Sequence, residues 1–224
     1  EPRAPTATLE TIEEAADLIT KAERPMILTG SGAAWSGAGP ALRDLAETFR
    51  IPVLANALGR GLVPEDLTIG FSWPLAQVAA KNADVVLVVG MRLTERMGYG
   101  LAPRFAADAK FIQIDVIPEE MGRNRKIDLS IAADARLAIE ELSAALKQRK
   151  FRPSGDPTWV NDALNNRLTR MEELGQEVEA PIHPYRIARD LMDLMPANAV
   201  YIGDGADVQN WMHAYIRIRS ERGF

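Results

Sequence analysis

The run Asp84-Val-Val-Leu-Val-Val-Gly90 decides the fold class. Five consecutive apolar residues, four of them valine, are bounded by an acidic residue and a glycine. The run is too short for a helix and has no polar face, so it reads as a strand. A strand that is apolar throughout is buried on both faces, which is the condition of an inner strand in a parallel sheet.

The same grammar extends outward. Toward the N-terminus, Pro25-Met-Ile-Leu-Thr-Gly30 and Ile51 to Ala55 read as strands. Toward the C-terminus come Lys110 to Val116 and an edge strand, Leu129 to Ala132. Between them lie stretches of helical period. Thr11 to Ala22 places Ile12, Ala15, Ala16 and Ile19 on one face, and Gly39 to Phe49 does the same with Leu42, Leu45, Ala46 and Phe49. Trp73 to Ala80 and Leu137 to Leu146 read as further helices, and Asn56 to Pro64 as a Gly-containing loop. Strands alternating with helices predict an α/β fold: an open, mostly parallel, Rossmann-like sheet with helices on both faces and right-handed crossovers.

The pattern changes after residue 149. Lys147 to Thr158 carries Pro153, Ser154, Gly155, Asp156 and Pro157 and reads as a linker, followed by a polar helix from Thr158 to about Glu179. Ala180-Pro-Ile-His-Pro184 is a second break. A partial second α/β unit follows: a helix (Tyr185 to Met195), a strand (Ala199 to Ile202), Gly203-Asp-Gly205, and a helix (Ala206 to Arg219). The predicted organisation is a linker at 1–8 containing Pro2 and Pro5, a nucleotide-binding-like domain at 9–149, a linker and polar helix at 150–183, and a partial unit at 184–224. One strand and two helices cannot enclose a core. Together with the start at Glu1 rather than Met, this is the expectation for a piece of a longer protein.

Composition excludes several classes. Of 224 residues, 47% are hydrophobic and 25% charged, so the chain is globular rather than disordered. The net charge of −5 offers no general field for nucleic acid or an anionic membrane. With no cysteine, disulfide scaffolds, zinc–thiolate sites, iron–sulfur clusters and thiol nucleophiles are all excluded. Two histidines, His183 and His213, leave little for a metal centre or a triad, and both read as structural. No apolar run approaches the length of a membrane span, and the expected location is the cytoplasm.

Ligands of an open parallel sheet bind beyond the carboxyl ends of its strands. Those positions hold Gly30, Ser31 and Gly32 after the first strand, Arg60 within Gly59-Arg-Gly61 after the second, Arg92 after the strongest, and Asp115 with Val116 after the next. Glycines admit a phosphate close to backbone N–H groups, Arg grips it with a fork, and a strand-end Asp accepts from ribose hydroxyls. The competing readings are a tight turn, a surface Arg and a cap on the Pro118 turn. The spacing after Gly30 is not the dinucleotide fingerprint, because Trp35 stands where its third glycine would be. These residues bind and do not attack, so no catalytic residue and no metal ligand is assigned within the chain.

Four blocks together resemble the central domain of thiamine-diphosphate (ThDP) enzymes: Arg24 to Ala33, the Gly59-Arg-Gly61 loop, Asp84 to Leu93, and Phe111-Ile-Gln-Ile-Asp-Val-Ile-Pro-Glu-Glu120. This is the group of acetolactate synthase, oxalyl-CoA decarboxylase and 2-hydroxyacyl-CoA lyase. Pro184-Tyr-Arg186 and Ala199 to Trp211 resemble the start of that group's diphosphate-binding (PP) domain. The resemblance implies ThDP and Mg2+ in the full protein and carbon–carbon chemistry next to a carbonyl on a 2-oxo acid or acyl-CoA. It implies a homodimer or homotetramer. It also implies a catalytic Glu and a Gly-Asp-Gly…Asn-Asn metal motif lying outside the chain, which leaves this piece inactive alone. Asp204, Ala206 and Gln209 would stand on the diphosphate side, although Asp207 and Val208 replace the Gln-His pair of the synthases. The central cleft would take ADP or CoA, with FAD as the other branch's ligand. A free-standing nucleotide- or flavin-binding module of the electron-transfer flavoprotein type is the alternative.

Overall fold

The computed structural model describes residues 3–152 and 157–224. Pro2 and the predicted linker residues Pro153, Ser154, Gly155 and Asp156 lie outside the described residues. The elements are α1 (Leu9–Thr20), β1 (Pro25–Thr29), α2 (Ser31–Trp35), α3 (Gly39–Phe49), β2 (Val53–Ala55), β3 (Gly70–Ser72), α4 (Trp73–Ala76), β4 (Val85–Val89), β5 (Lys110–Asp115), β6 (Leu129–Ala132), α5 (Ala135–Gln148), α6 (Thr158–Gln176), α7 (Pro184–Leu194) and α8 (Ala206–Tyr215).

The six strands form one sheet in the order β3-β2-β1-β4-β5-β6, and every pairing is parallel. The predicted Asp84 run is β4, which pairs with β1 through Met26↔Val86 and Leu28↔Val88 and with β5 on its other side. Strand side chains alternate between two cores, because successive Cβ atoms point to opposite faces. Ile27, Val85, Leu87, Val89, Ile112 and Ile114 pack under α1, α3 and α5. Met26, Leu28, Val86, Val88 and Phe111 face the other way, toward α4 and α6.

Helix starts follow local chemistry. Thr8 accepts from the Thr11 N–H, so α1 begins two residues before the predicted start, and Asp134 caps α5 through the Leu137 N–H. Arg50 adopts a left-handed conformation (φ 51°) and ends α3.

Four differences from the sequence reading stand out. β3 and the five-residue α2 were not anticipated, because Gly70-Phe-Ser72 and Ser31-Gly-Ala-Ala-Trp35 carry neither an apolar run nor a helical apolar stripe. The predicted helix from Trp73 to Ala80 is a single turn, α4, followed by tight turns to Asn82. The predicted strand Ala199 to Ile202 is irregular. No strand lies beside it among the described residues, Tyr201 N–H donates to Gly223 O (2.8 Å), and Val200 and Ile202 are exposed. A strand without a hydrogen-bonded neighbour is not stable in water.

The C-terminal elements pack on the sheet's second face. Val160, Leu164 and Met171 of α6, Tyr185 of α7 and Ala214 of α8 all join the core containing Leu28 and Val88. The polar helix therefore has one apolar stripe. Among the described residues no helix is long and apolar enough to cross a membrane.

Candidate functional site: a cleft at the switch point

The direction in which successive strands are added to the sheet reverses between β1 and β4. At such a switch point the loops leaving the two strands diverge and open a crevice. A cleft of about 650 Å³ lies there, lined from the ends of five strands. Of the predicted residues, Gly30, Ser31, Gly32, Arg92, Asp115 and Val116 all line it.

The glycines serve packing rather than offering free amides. Gly30 N–H donates to Val89 O (3.2 Å) and Gly32 N–H to Gly90 O (2.9 Å). A Cβ on Gly30 would sit 2.8 Å from Met91 Cβ, and one on Gly32 would sit 2.8 Å from Gly90 Cα. The turn is thereby pressed onto the end of β4, and the cleft floor is bare backbone.

Arg92 is the cation among the described lining residues. Its side chain is 59% exposed, and its Nε lies 3.3 Å from Glu120 Oε2, while Glu120 also pairs with Arg123 at 3.1 Å. The Glu120 side chain itself is only 12% exposed and is shared with Arg123, so an incoming anion competes with this carboxylate for the exposed Arg92 guanidinium. Asp115 is part-exposed, and one of its oxygens accepts from the Ile117 N–H (3.0 Å). That bond fixes the carboxylate at the strand end facing the cleft.

The sequence reading did not single out Trp35, Ser36, Asn56, Thr94, Met97, Ile117 or Asp134, which also line the cleft. Asn56 and Asp134 follow β2 and β6, so the strand-end rule applied uniformly reaches them. Asp134 is occupied by Ser36 Oγ (2.9 Å) and the Leu137 N–H (3.1 Å). Trp35 (80% exposed), Val116 (53%) and Ile117 (40%) give the rim apolar surfaces suited to a planar ring.

Arg60 is not at the cleft. It is 1% exposed, and its fork closes on Glu65, with Nε to Oε1 at 2.8 Å and Nη2 to Oε2 at 2.7 Å. Ala57 (φ 49°) and Gly61 (φ 81°) turn the loop so that Arg60 points inward. The predicted diphosphate-side residues also stand apart from the cleft. Asp204 is exposed, Ala206 is the first residue of α8, and Gln209 Nε2 turns back on Gly203 O (3.4 Å). With Asp204 before α8 and Asp207 in its first turn, two carboxylates flank the amides that a diphosphate would need, so these residues alone do not fit that group. Among the described residues no group of three or more His, Asp or Glu is arranged to hold a metal ion.

A doubly wound parallel sheet with a cleft at its switch point defines an α/β domain of Rossmann-like type. The family described as "Thiamine pyrophosphate enzyme, central domain" matches residues 12–142, and the chain belongs to it. It is 32% identical over 229 residues to a probable acetolactate synthase large subunit of Methanocaldococcus jannaschii, covering 95% of this chain and 37% of that protein. It is 35% identical over 215 residues to a 2-hydroxyacyl-CoA lyase of Oryza sativa subsp. japonica, covering 90% and 36%. It is 31% identical over 210 residues to the oxalyl-CoA decarboxylase of Escherichia coli (strain K12), covering 88% and 35%. The chain therefore spans little more than a third of the length of these relatives. The matches support the thiamine-diphosphate family and lend nothing to the electron-transfer flavoprotein alternative.

Proposed function

We propose that this chain supplies the central domain of a ThDP-dependent enzyme that makes or breaks a carbon–carbon bond next to a carbonyl. The substrate would be a 2-oxo acid or an acyl-CoA. In this reading residues 9–149 are the central domain, 150–183 connect it onward, and 184–224 begin the PP domain. ThDP held by Mg2+ would supply the electron sink for the bond-breaking step. Because residues 203–209 do not form a diphosphate cradle, no step of that reaction is assigned to this chain, and it is inactive alone. The whole protein acts in the cytoplasm as a homodimer or homotetramer.

The cleft's own role is to hold the nucleotide part of ADP or CoA. The observation that carries this is the convergence of Arg92, Asp115 and the exposed Trp35–Val116–Ile117 rim on one crevice. Arg92 would take phosphate, Asp115 ribose hydroxyls, and the apolar rim the base.

Thermal-shift titrations with ADP, CoA, FAD and ThDP separately test it. A ligand that binds only the folded state stabilises it by RT ln(1 + [L]/Kd), about 2.7 kcal/mol at a hundredfold excess. ADP or CoA should raise Tm. Arg92→Ala should weaken binding roughly tenfold, the value of one charge-assisted contact of about 1.4 kcal/mol. Glu120→Gln should bind at least as tightly as wild type, because a competing carboxylate is gone. A shift with FAD alone assigns the cleft to flavin, and no shift with any ligand makes the domain a spacer. Turnover of pyruvate or a 2-hydroxyacyl-CoA by this chain with ThDP and Mg2+ contradicts the inactive assignment.

A further inference from the structure

The segment from Asn56 to Glu65 touches two places at once. At its start, Asn56 and Ala57 line the cleft, and Asn56 N–H donates to Thr29 O at the end of β1 (3.0 Å). Gly59 presses on the same strand end: a Cβ there would lie 2.8 Å from Thr29 O and 3.0 Å from Gly30 Cα. From Arg60 onward the segment grips the chain that leaves α8. Arg60 Nη2 donates to Ile216 O (2.6 Å), Glu65 N–H donates to Ile218 O (2.9 Å), and Ile218 N–H donates back to Glu65 Oε2 (3.0 Å). The Arg60 guanidinium also lies over the Phe224 ring, 4.7 Å from its centre. At Gly61 a Cβ would stand 2.1 Å from Ser220 O, so the two backbones are in direct contact.

Arg60 and Glu65 are 1% and 4% exposed, and Ile216 and Ile218 are 0% and 2% exposed. The grip is thus a buried, doubly hydrogen-bonded ion pair that reads backbone positions on 216–218. Short hydrogen bonds tie the segment together internally, Gly59 N–H to Asn56 O (3.0 Å) and Arg60 N–H to Ala57 O (3.0 Å). A packed, internally bonded element shifts as a unit rather than deforming continuously.

We infer that residues 56–65 couple the cleft to the C-terminal segment 216–220, with Arg60 and Glu65 as positioning residues. A ligand that fixes Asn56 and Ala57 also fixes the Arg60–Glu65 grip and strengthens docking of 216–220. By reciprocity, loosening the grip weakens the ligand. This rests on the nucleotide reading of the cleft.

Hydrogen exchange of the wild-type chain with and without saturating ADP tests it. The Glu65 and Ile218 amides should slow at least threefold more than those of α1, which touches neither cleft nor grip. Glu65→Gln keeps an oxygen for Ile218 N–H but removes the charge. It should erase that excess protection and weaken ADP several-fold, although residue 65 does not line the cleft. Gly61→Ala, which pushes on Ser220 O and strains the left-handed turn that aims Arg60, should act in the same direction. If ADP binds wild type but Glu65 and Ile218 follow α1, the coupling is wrong and the nucleotide reading stands. If Glu65→Gln lowers Tm while ADP affinity is unchanged, the pair is structural only. If ADP leaves wild-type Tm and exchange unmoved, the nucleotide reading and the coupling both fall.

Discussion

Gly90 carries a strict steric demand at the cleft. Its φ is +56°, and a Cβ would lie 2.3 Å from Ala33 N and 2.6 Å from Gly32 C. Gly90→Ala should destabilise by about 2–4 kcal/mol, combining left-handed strain with overpacking, as read by denaturant unfolding. His213 is a second residue with a defined cost. Its Nε2 is buried without a partner, and burial, then the charges of Arg60 and Arg96, pull its pKa from 6.5 to about 4. Between pH 4 and 6.5 the unfolded chain therefore binds more protons at this residue than the folded one, so stability rises with pH across that window. The contribution is fully present above pH 6.5 and is lost as pH falls toward 4. Tm measured against pH should show this slope, and His213→Leu should flatten it by one proton's worth. Neither property is readable from sequence: Gly90 resembles any strand-terminal glycine, and His213 resembles any helical histidine until Arg60 is brought beside it.

At the scale of elements, α6 shows how composition misleads. Its sequence is mostly polar, yet Val160 and Leu164 are fully buried against the sheet's second face while Asn165 and Asn166 are exposed. Leu164→Ala should cost about 2–5 kcal/mol by transfer and cavity terms, and Asn165→Ala should stay within about 0.5 kcal/mol, both from chemical denaturation. Equal effects would mean that α6 does not dock as described. The strands β1 and β4 were legible because burial on both faces leaves a near-continuous apolar run, and β5 keeps Phe111, Ile112 and Ile114 around a buried Gln113. β6 was legible as an edge because its burial alternates along Leu129–Ala132. β3 was not, since Gly70-Phe-Ser72 holds a single apolar residue and no run to read.

Across the whole molecule, stability is graded outward from the central strands. β4 is paired on both sides and covered on both faces, whereas residues 196–205 are irregular and largely exposed. Native-state hydrogen exchange should find the Val86 and Val88 amides near the global unfolding limit and those of 200–204 exchanging orders of magnitude faster. Ser72 Oγ donating to His213 O (3.0 Å) and the Arg60–Glu65 grip join the end of the chain to the sheet, so α8 should be protected more than the loop before it.

The amino-acid sequence by itself determined the parallel sheet, its central strand and the strand ends where a ligand would sit. Those features depend on local patterns of apolar and turn residues, which no partner needs to complete. It also carried the family, through Arg24 to Ala33, Asp84 to Leu93 and Phe111 to Glu120. Tertiary structure alone decided which of those strand-end residues share a cleft. Arg92 and Asp115 line one cleft because β4 and β5 are neighbours. Arg60 turns away because positive φ at Ala57 and Gly61 aims it at Glu65. Ala199 to Ile202 has strand-like residues but no neighbour to pair with. The physical reason is the same in each case: a backbone pattern is a local property, whereas an ion pair, a cleft wall or a strand pairing needs a second segment whose position only the folded chain supplies.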